Sequence, residues 1–241
     1  MRVCVLLCGH VSDALSDVMP PLLDCFEALL GPRLPEARFT ATAAIDGELP
    51  TSVNDHDVYI LTGSPHGVYE DLPWISPLEG FVRDAVAADK VVIGGCFGHQ
   101  LVVQALGGRV EKSDKGWGIG VHAHPLVKRE PWMKGGPEMP HVVVSHQDQV
   151  IDPPPGAVVL AASAFCPNAM LRIGERVLTL QGHPEMNLAT VKRLLEVRRD
   201  RLPPEDYAVS LASLDSPLAH DSFGDWLAAF IRQGIKARVA A

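Results

Sequence analysis

The stretch Val91-Val92-Ile93-Gly94-Gly95-Cys96-Phe97-Gly98-His99-Gln100 decides the fold. Its apolar first half predicts a buried strand over residues 90–95. Residues 97–106 have the pattern of a helix, which Gly107-Gly108 ends. Cys96 therefore lies in a sharp strand-to-helix turn, the thiol form of a nucleophile elbow. Such a turn projects its side chain from the C-terminal edge of a sheet, where open α/β folds place their sites.

The residues around Cys96 suit a reactive thiol. Gly94 and Gly98 are small enough for the strained backbone that a nucleophile elbow requires. The helix that follows points its N-terminal N–H groups at the sulfur, which favours the thiolate form. The N–H of Phe97 is in position to act as an oxyanion-hole donor. In contrast, Cys4, Cys8 and Cys25 lie on apolar segments, so we interpret them as core residues.

A thiol nucleophile needs a base, and the base needs an acceptor that orients it. Among the ten histidines, the best candidate lies in Gln181-Gly182-His183-Pro184-Glu185, directly after an apolar strand over 176–181. Glu185 is two residues from His183, near enough to accept a hydrogen bond from its ring. We therefore predict that Cys96, His183 and Glu185 form a catalytic triad.

The rest of the chain alternates strand-like and helix-like segments, which predicts an open, mainly parallel sheet flanked by helices in a single domain over residues 1–241. Short runs after residue 109 suggest a mixed or antiparallel extension of the same sheet. The predicted strands are 2–8, 57–61, 90–95, 119–127, 141–144, 157–162 and 176–181. The predicted helices are 13–30, 75–86, 97–106, 187–200 and 222–236.

Composition excludes several functions. The formal net charge is −8, and the chain has no basic run, so nucleic-acid binding is not expected. No apolar run of membrane-spanning length occurs, and the five cysteines form no compact framework, so we expect a cytoplasmic protein with reduced thiols. The basic residues between positions 192 and 201 are interpreted as a solvated helix face. They are Lys192, Arg193, Arg198, Arg199 and Arg201.

The two motifs around Cys96 and His183 resemble those of the class I, or triad-type, glutamine amidotransferases. The pattern G-x-C-x-G-x-Q is complete over residues 94–100, and the chain looks most like stand-alone relatives of the glutaminase domain of GMP synthase. The resemblance extends in order over about residues 55–190. It implies a flavodoxin-like fold and hydrolysis of the glutamine side-chain amide to glutamate and ammonia through a γ-glutamyl thioester.

The same resemblance implies roles for further residues. Gln100 would contact the substrate amide, and the loop Leu61-Thr62-Gly63-Ser64-Pro65 would complete the oxyanion hole through a backbone donor at Gly63. The segment Val144-Ser145-His146-Gln147-Asp148 would place Ser145 and His146 beside the amino-acid end of the substrate.

Two loop aromatics and two strand histidines have alternative interpretations. Tyr69 and Trp74 either line the substrate mouth or simply pack their loop. His122 and His124 share one face of a strand, but no residue at a suitable spacing completes a metal site. We therefore expect no metal and no cofactor.

Three functions remain open. The chain contains no phosphate-binding glycine loop for ATP, so ammonia would pass to a separate synthetase subunit, or the enzyme would hydrolyse a γ-glutamyl peptide or related compound by itself. A catalytically silent binding module on the same fold is the alternative outside enzymes. A PfpI-like cysteine peptidase would have a histidine directly after the cysteine, where this chain has Phe97.

Overall fold

The computed structural model describes the backbone of residues 1–239 and the side chains of residues 1–237. The described chain forms strands β1 (Arg2–Leu6), β2 (Arg38–Thr42), β3 (Val58–Leu61), β4 (Val91–Gly95), β5 (Arg109–Lys112), β6 (Gly118–Ala123), β7 (His141–His146), β8 (Asp148–Asp152), β9 (Ala157–Ala161), β10 (Met170–Ile173) and β11 (Val177–Leu180). Its α-helices are α1 (Leu22–Leu30), α2 (Ile75–Ala87), α3 (Phe97–Ala105), α4 (Leu188–Arg198), α5 (Pro204–Ala212) and α6 (His220–Val239).

A seven-stranded sheet in the order β2-β1-β3-β4-β11-β10-β9 forms the centre of the molecule. Every neighbouring pair from β2 to β11 is parallel, whereas β10 is antiparallel to both β11 and β9. The predicted mainly parallel sheet flanked by helices is therefore confirmed. Strands β4 and β11 are neighbours, which brings the two chain segments that follow them to the same edge.

Both faces of the sheet are covered, as a parallel sheet requires. Successive side chains of a strand point to opposite faces, so Val3 and Val5 of β1 join one core cluster while Cys4 and Leu6 join another. Residues of α1 and α6 belong to the first cluster, and residues of α2 and α3 belong to the second. These layers hold the ends of β4 and β11 in fixed positions.

The region after residue 109 differs from its prediction. Strands β6 and β7 do not extend the main sheet; they form a separate antiparallel pair, and β5 pairs with β8 in a second one. Only β9 and β10 extend the central sheet in antiparallel fashion. The predicted strand over 119–127 ends at Ala123, and the sequence analysis missed β2, β5, β8, β10 and the helix α5.

The predicted helix over 13–30 is also wrong in its first half. Residues Asp13–Leu15 form a short 3₁₀ helix, and α1 begins only at Leu22. Pro20 and Pro21 precede that start, and a proline inside a helix removes a backbone donor and clashes with the preceding turn. None of the helices in residues 1–239 is long and apolar enough to cross a membrane.

Candidate active site

Cys96 lies between β4 and α3 in a strained backbone conformation, with φ 52° and ψ −106°. Positive φ is uncommon for residues other than glycine and is tolerated where the surrounding structure enforces it. The N–H of Cys96 donates a hydrogen bond of 2.9 Å to the carbonyl oxygen of Leu180, at the end of β11. The predicted turn geometry is therefore present, and it is fixed to the neighbouring strand.

Two glycines make this turn possible. A Cβ atom on Gly98 would lie 2.5 Å from the carbonyl oxygen of Leu61, and one on Gly94 would lie 2.5 Å from the carbonyl oxygen of Gly98. Both contacts are with backbone atoms, which cannot rotate away. The N–H of Gly98 also donates to the carbonyl oxygen of Thr62 at 3.1 Å. The turn is thus packed against the loop that follows β3.

His183 reaches Cys96 from the loop after β11. Its N–H donates to the carbonyl oxygen of Val143 at 2.7 Å, which joins this loop to β7. Nδ1 of the ring donates to Oε1 of Glu185 at 2.7 Å, and both side chains are buried. The other edge of the ring is within hydrogen-bond range of the Cys96 side chain. The structure therefore brings together the three residues that the sequence analysis selected.

The electrostatic environment of His183 favours its charged form. Burial alone would lower the pKa of the imidazole, but charge interactions and hydrogen bonds with Cys96 and Glu185 outweigh that effect and hold the pKa well above its usual value. Oε2 of Glu185 is buried without a hydrogen-bond partner in the described structure. The imidazolium is thus the main group that balances the Glu185 charge.

Two backbone N–H groups lie near Cys96. The N–H groups of Phe97 and Gly63 donate to no described group of the chain. Gly63 faces the triad closely, since a Cβ at this position would lie 2.9 Å from Cε1 of His183 and 3.8 Å from Cβ of Cys96. Unpaired backbone donors beside a thiol can bind a developing oxyanion.

A polar cavity of about 190 Å³ opens on one side of Cys96. Glu70 and Asp148 contribute acidic groups to its wall, and Lys112 and Arg198 contribute basic ones. Burial raises the pKa of Asp148, and the hydroxyl of Tyr69 donates to Oδ1 of this carboxylate at 3.0 Å. A cavity with charges of both signs suits the ammonium and carboxylate groups of an amino acid.

The residues predicted to contact substrate lie in the wall of this polar cavity. Nε2 of Gln100 donates to the carbonyl oxygen of Asp148 at 2.9 Å and to Oε1 of Gln181 at 3.0 Å, so two protein groups hold the side chain in place. Ser145 accepts a hydrogen bond of 2.7 Å from Nη1 of Arg198. Nδ1 of His146 donates to the carbonyl oxygen of Asp148 at 3.0 Å. Burial lowers the pKa of His146 to about 4, so its ring is neutral at pH 7.

The sequence analysis placed Arg198 on a solvated helix face, and the structure corrects this. The guanidinium lies over the ring of Trp117 at 4.5 Å from its centroid and faces the cavities beside Cys96. Of the two loop aromatics, Tyr69 lines the polar cavity, whereas Trp74 is buried against Phe97 and does not. A helical periodicity alone does not reveal which arginine of α4 turns inward.

A second cavity of about 310 Å³ also has Cys96 in its wall. His183 and Glu185 belong to its wall and not to the wall of the polar cavity. Most of its lining surface is apolar. The segment before α1 and the helix α4 both contribute to that lining. The apolar lining residues include Leu15, Met19, Leu22, Met186, Leu194 and Val197.

Comparison with known proteins identifies a family. The model of the family described as glutamine amidotransferase class-I matches residues 38–197, about two thirds of the chain. Gamma-glutamyl peptidase 3 of Arabidopsis thaliana is 32% identical over 151 residues, which cover 59% of this chain and 61% of the peptidase. The chain thus spans about three fifths of the length of this relative.

Two further matches are to proteins whose names also refer to glutamine. GMP synthase [glutamine-hydrolyzing] of Thermotoga petrophila is 36% identical over 138 residues, covering 54% of this chain and 25% of the synthase. The crystal structure of a glutamine amidotransferase from Thermotoga maritima superimposes with a TM-score of 0.75 at 20% identity and covers 98% of both chains. At that identity the structural match speaks for the fold alone.

Proposed function

The chain belongs to the class I glutamine amidotransferase family, and from that premise we propose that it hydrolyses the γ-amide of glutamine or of a larger γ-glutamyl compound. In this proposal Cys96 is the nucleophile, His183 the general acid and base, and Glu185 the group that orients the imidazole. Residues 1–241 would act as one catalytic domain without a metal or cofactor, and we place the enzyme in the cytoplasm.

One observation carries this proposal: the strained Cys96 lies within reach of the buried His183 ring. Nδ1 of that ring is 2.7 Å from Oε1 of Glu185. A buried carboxylate that fixes the ring through Nδ1 leaves Nε2 free to exchange a proton with the nucleophile. A core cysteine needs neither a positive φ nor such a pair. A silent binding module would have no use for either feature, which favours an enzyme.

The reaction follows from these positions. The thiolate of Cys96 attacks the γ-carbonyl carbon, and the oxyanion that forms accepts hydrogen bonds from the N–H groups of Phe97 and Gly63. One such donor typically contributes roughly 3–4 kcal/mol to transition-state stabilisation. When the C–N bond breaks, the departing nitrogen takes the proton of His183. His183 then accepts a proton from water, which attacks the thioester and releases glutamate together with the regenerated thiolate.

The polar cavity would hold the amino-acid end of the substrate. Asp148 and Glu70 would face the α-ammonium group, and Arg198 and Lys112 the α-carboxylate, since each charge then meets its opposite. Gln100, Ser145 and His146 would position these groups or the amide, as the family resemblance implies. The hydrogen bonds already present among these residues support a preformed site, which reduces the ordering cost of binding.

A panel assay tests the function. Pure protein is incubated with glutamine, γ-glutamyl dipeptides and α-glutamyl dipeptides, and the release of glutamate is measured beside the Cys96→Ala variant. We expect release from γ-linked substrates by the unchanged protein alone. Release from α-linked dipeptides, or equal release by Cys96→Ala, would contradict the proposed reaction.

A second candidate function is a glutaminase subunit that delivers ammonia to a separate synthetase. The 36% identity to part of a GMP synthase favours it. This candidate predicts weak glutamine turnover that rises when a synthetase partner is added, with little turnover of dipeptides. Strong dipeptide turnover by the chain alone favours the γ-glutamyl peptidase activity, in keeping with the similarity to gamma-glutamyl peptidase 3.

A further inference from the structure

We propose that the apolar cavity beside His183 binds the leaving group, and that the preferred substrate is a γ-glutamyl compound whose amine portion is an apolar amino acid with a free carboxylate. This inference rests on the proposed function, because it assigns the two cavities that share Cys96 to the two parts of the scissile amide.

The direction of the substrate follows from the general acid. The nitrogen that leaves must take its proton from His183, so it departs into the cavity whose wall contains His183. His183 lines the apolar cavity and not the polar one. The γ-glutamyl part, with its two charged groups, fits the polar cavity. The scissile bond would therefore lie at Cys96, which both cavities share, with the amine directed into the apolar cavity.

The size of the cavity argues for a leaving group larger than ammonia. A water-sized molecule occupies about 30 Å³, whereas the apolar cavity measures about 310 Å³. Several of its lining side chains, among them Leu15, Met19 and Leu194, expose less than a tenth of their surface. Apolar walls gain free energy only when they cover an apolar group. A leucine-like or methionine-like side chain fits these walls.

A basic group in the cavity wall would bind the carboxylate of the amine portion. Arg201 follows α4, is exposed, and forms no ion pair or hydrogen bond with described residues. Its neighbour Arg198 already binds Ser145 and faces both cavities. A carboxylate on the amine portion would therefore meet the unpaired guanidinium of Arg201. A free amino-acid terminus provides such a carboxylate, and ammonia does not.

The chemistry adds no co-reactant to the proposed reaction. The C–S bond forms as the thiolate of Cys96 adds to the carbonyl carbon, the C–N bond of the resulting tetrahedral intermediate then breaks, and the amino group of the released amino acid receives the His183 proton. Water then cleaves the thioester, gives one proton to His183 and leaves glutamate. The net change is hydrolysis of one amide to glutamate and a free apolar amino acid.

The test compares leaving groups through kcat/KM, which reports acylation. The substrates are glutamine, γ-glutamylglycine, γ-glutamylleucine and γ-glutamylleucinamide. One methylene in an apolar pocket changes discrimination by roughly tenfold or more, so γ-glutamylleucine should exceed γ-glutamylglycine by at least about tenfold. Loss of the carboxylate in γ-glutamylleucinamide should lower kcat/KM by about tenfold, as expected for one charged hydrogen bond.

Two variants at exposed positions assign these effects. Arg201→Gln should abolish the preference for γ-glutamylleucine over its amide, while Arg199→Gln, on the same segment but outside both cavities, should retain it. Val197→Asp should lower kcat/KM for γ-glutamylleucine more than it lowers kcat/KM for γ-glutamylglycine. Equal kcat/KM for all four substrates would overturn the leaving-group assignment and preserve the proposed function. If none of the four substrates released glutamate, both the leaving-group assignment and the proposed function would be overturned.

Discussion

Nδ1 of His183 and Oε1 of Glu185 lie 2.7 Å apart, with 4% and 2% of the two side chains exposed. In a site with so little solvent exposure, the carboxylate stabilises the charged form of the imidazole. The pair therefore sets the protonation state of the base as well as its orientation.

Replacing Glu185 by glutamine should lower the pKa of His183, because the variant removes a charge and a charged hydrogen bond that raise it. The titration of the His183 ring, followed by NMR, would then move to lower pH than in the unchanged protein. Glu196→Gln, on the exposed surface of α4, serves as the control and should leave the titration in place. A titration that does not move in Glu185→Gln would show that the pair is not coupled.

Replacing Gly98 by alanine should lower the free energy of unfolding by about 1–3 kcal/mol, the usual cost of overpacking. The added Cβ would lie 2.5 Å from the carbonyl oxygen of Leu61. Gly95→Ala is the matched control, since its nearest contact would be 3.8 Å, and we expect a change within about 0.5 kcal/mol. Urea unfolding of both variants measures the difference, and similar values would mean that the turn is not tightly packed.

Replacing Cys96 by alanine should reduce glutamate release by at least about a thousandfold, because the covalent route is lost. The fold should persist, since the change removes one sulfur atom from a turn that its backbone contacts hold. Circular dichroism and thermal unfolding check the fold. Cys4→Ala removes a buried thiol on β1 whose hydrogen-bond partner is Thr42, and should retain activity. Equal losses in the two variants would argue against a specific role for Cys96.

Acid should destabilise the protein through three buried histidines. Burial lowers the pKa of His99 and of His124 to about 3, and that of His146 to about 4. The unfolded chain binds protons near pH 6.5 while the folded chain does not, so stability is lost as the pH falls below that value. Each ring should cost about 1 kcal/mol between pH 6.5 and 5.5. His183 acts in the opposite direction, because its folded pKa is raised.

The variant His124→Asn isolates one of these contributions. Its free energy of unfolding should fall less steeply between pH 6.5 and 5.5 than that of the unchanged protein, by about 1 kcal/mol over the interval. Urea titrations at the two pH values give both slopes, so the cost of the substitution itself cancels. Parallel slopes would mean that His124 takes up protons equally in the folded and unfolded chains.

The central strands and the triad could be predicted from the sequence because they depend on local patterns. A β-branched run, two glycines and a following helix specify the turn at Cys96 without reference to distant residues. The short spacing between His183 and Glu185 gives their contact directly. The sheet order that makes β4 and β11 neighbours was not predicted, but it follows the rule that sites form at the C-terminal edge of parallel strands.

The features that the sequence did not reveal depend on distant contacts. Arg198 belongs to an amphipathic helix whose charged residues look equivalent along the chain, and only the packing of α4 turns this one towards Cys96. Strand β7 pairs with β6 and also bridges to His183 through Val143, and these contacts join segments that are far apart in sequence. The two cavities that share Cys96 arise from this tertiary packing.

Labelling with a chloroketone analogue of glutamine tests the central claim most directly. The reagent binds in the substrate site and then alkylates the nucleophilic thiol. The protein is treated with a slight excess of reagent, digested, and mapped by mass spectrometry, with and without γ-glutamylleucine as competitor. We predict one label per chain, on the peptide that contains Cys96, with protection by the competitor and no label in Cys96→Ala. Labelling of other cysteines at the same rate, or labelling of Cys96 that γ-glutamylleucine does not slow, would contradict the assignment of Cys96 as the nucleophile for γ-glutamyl substrates.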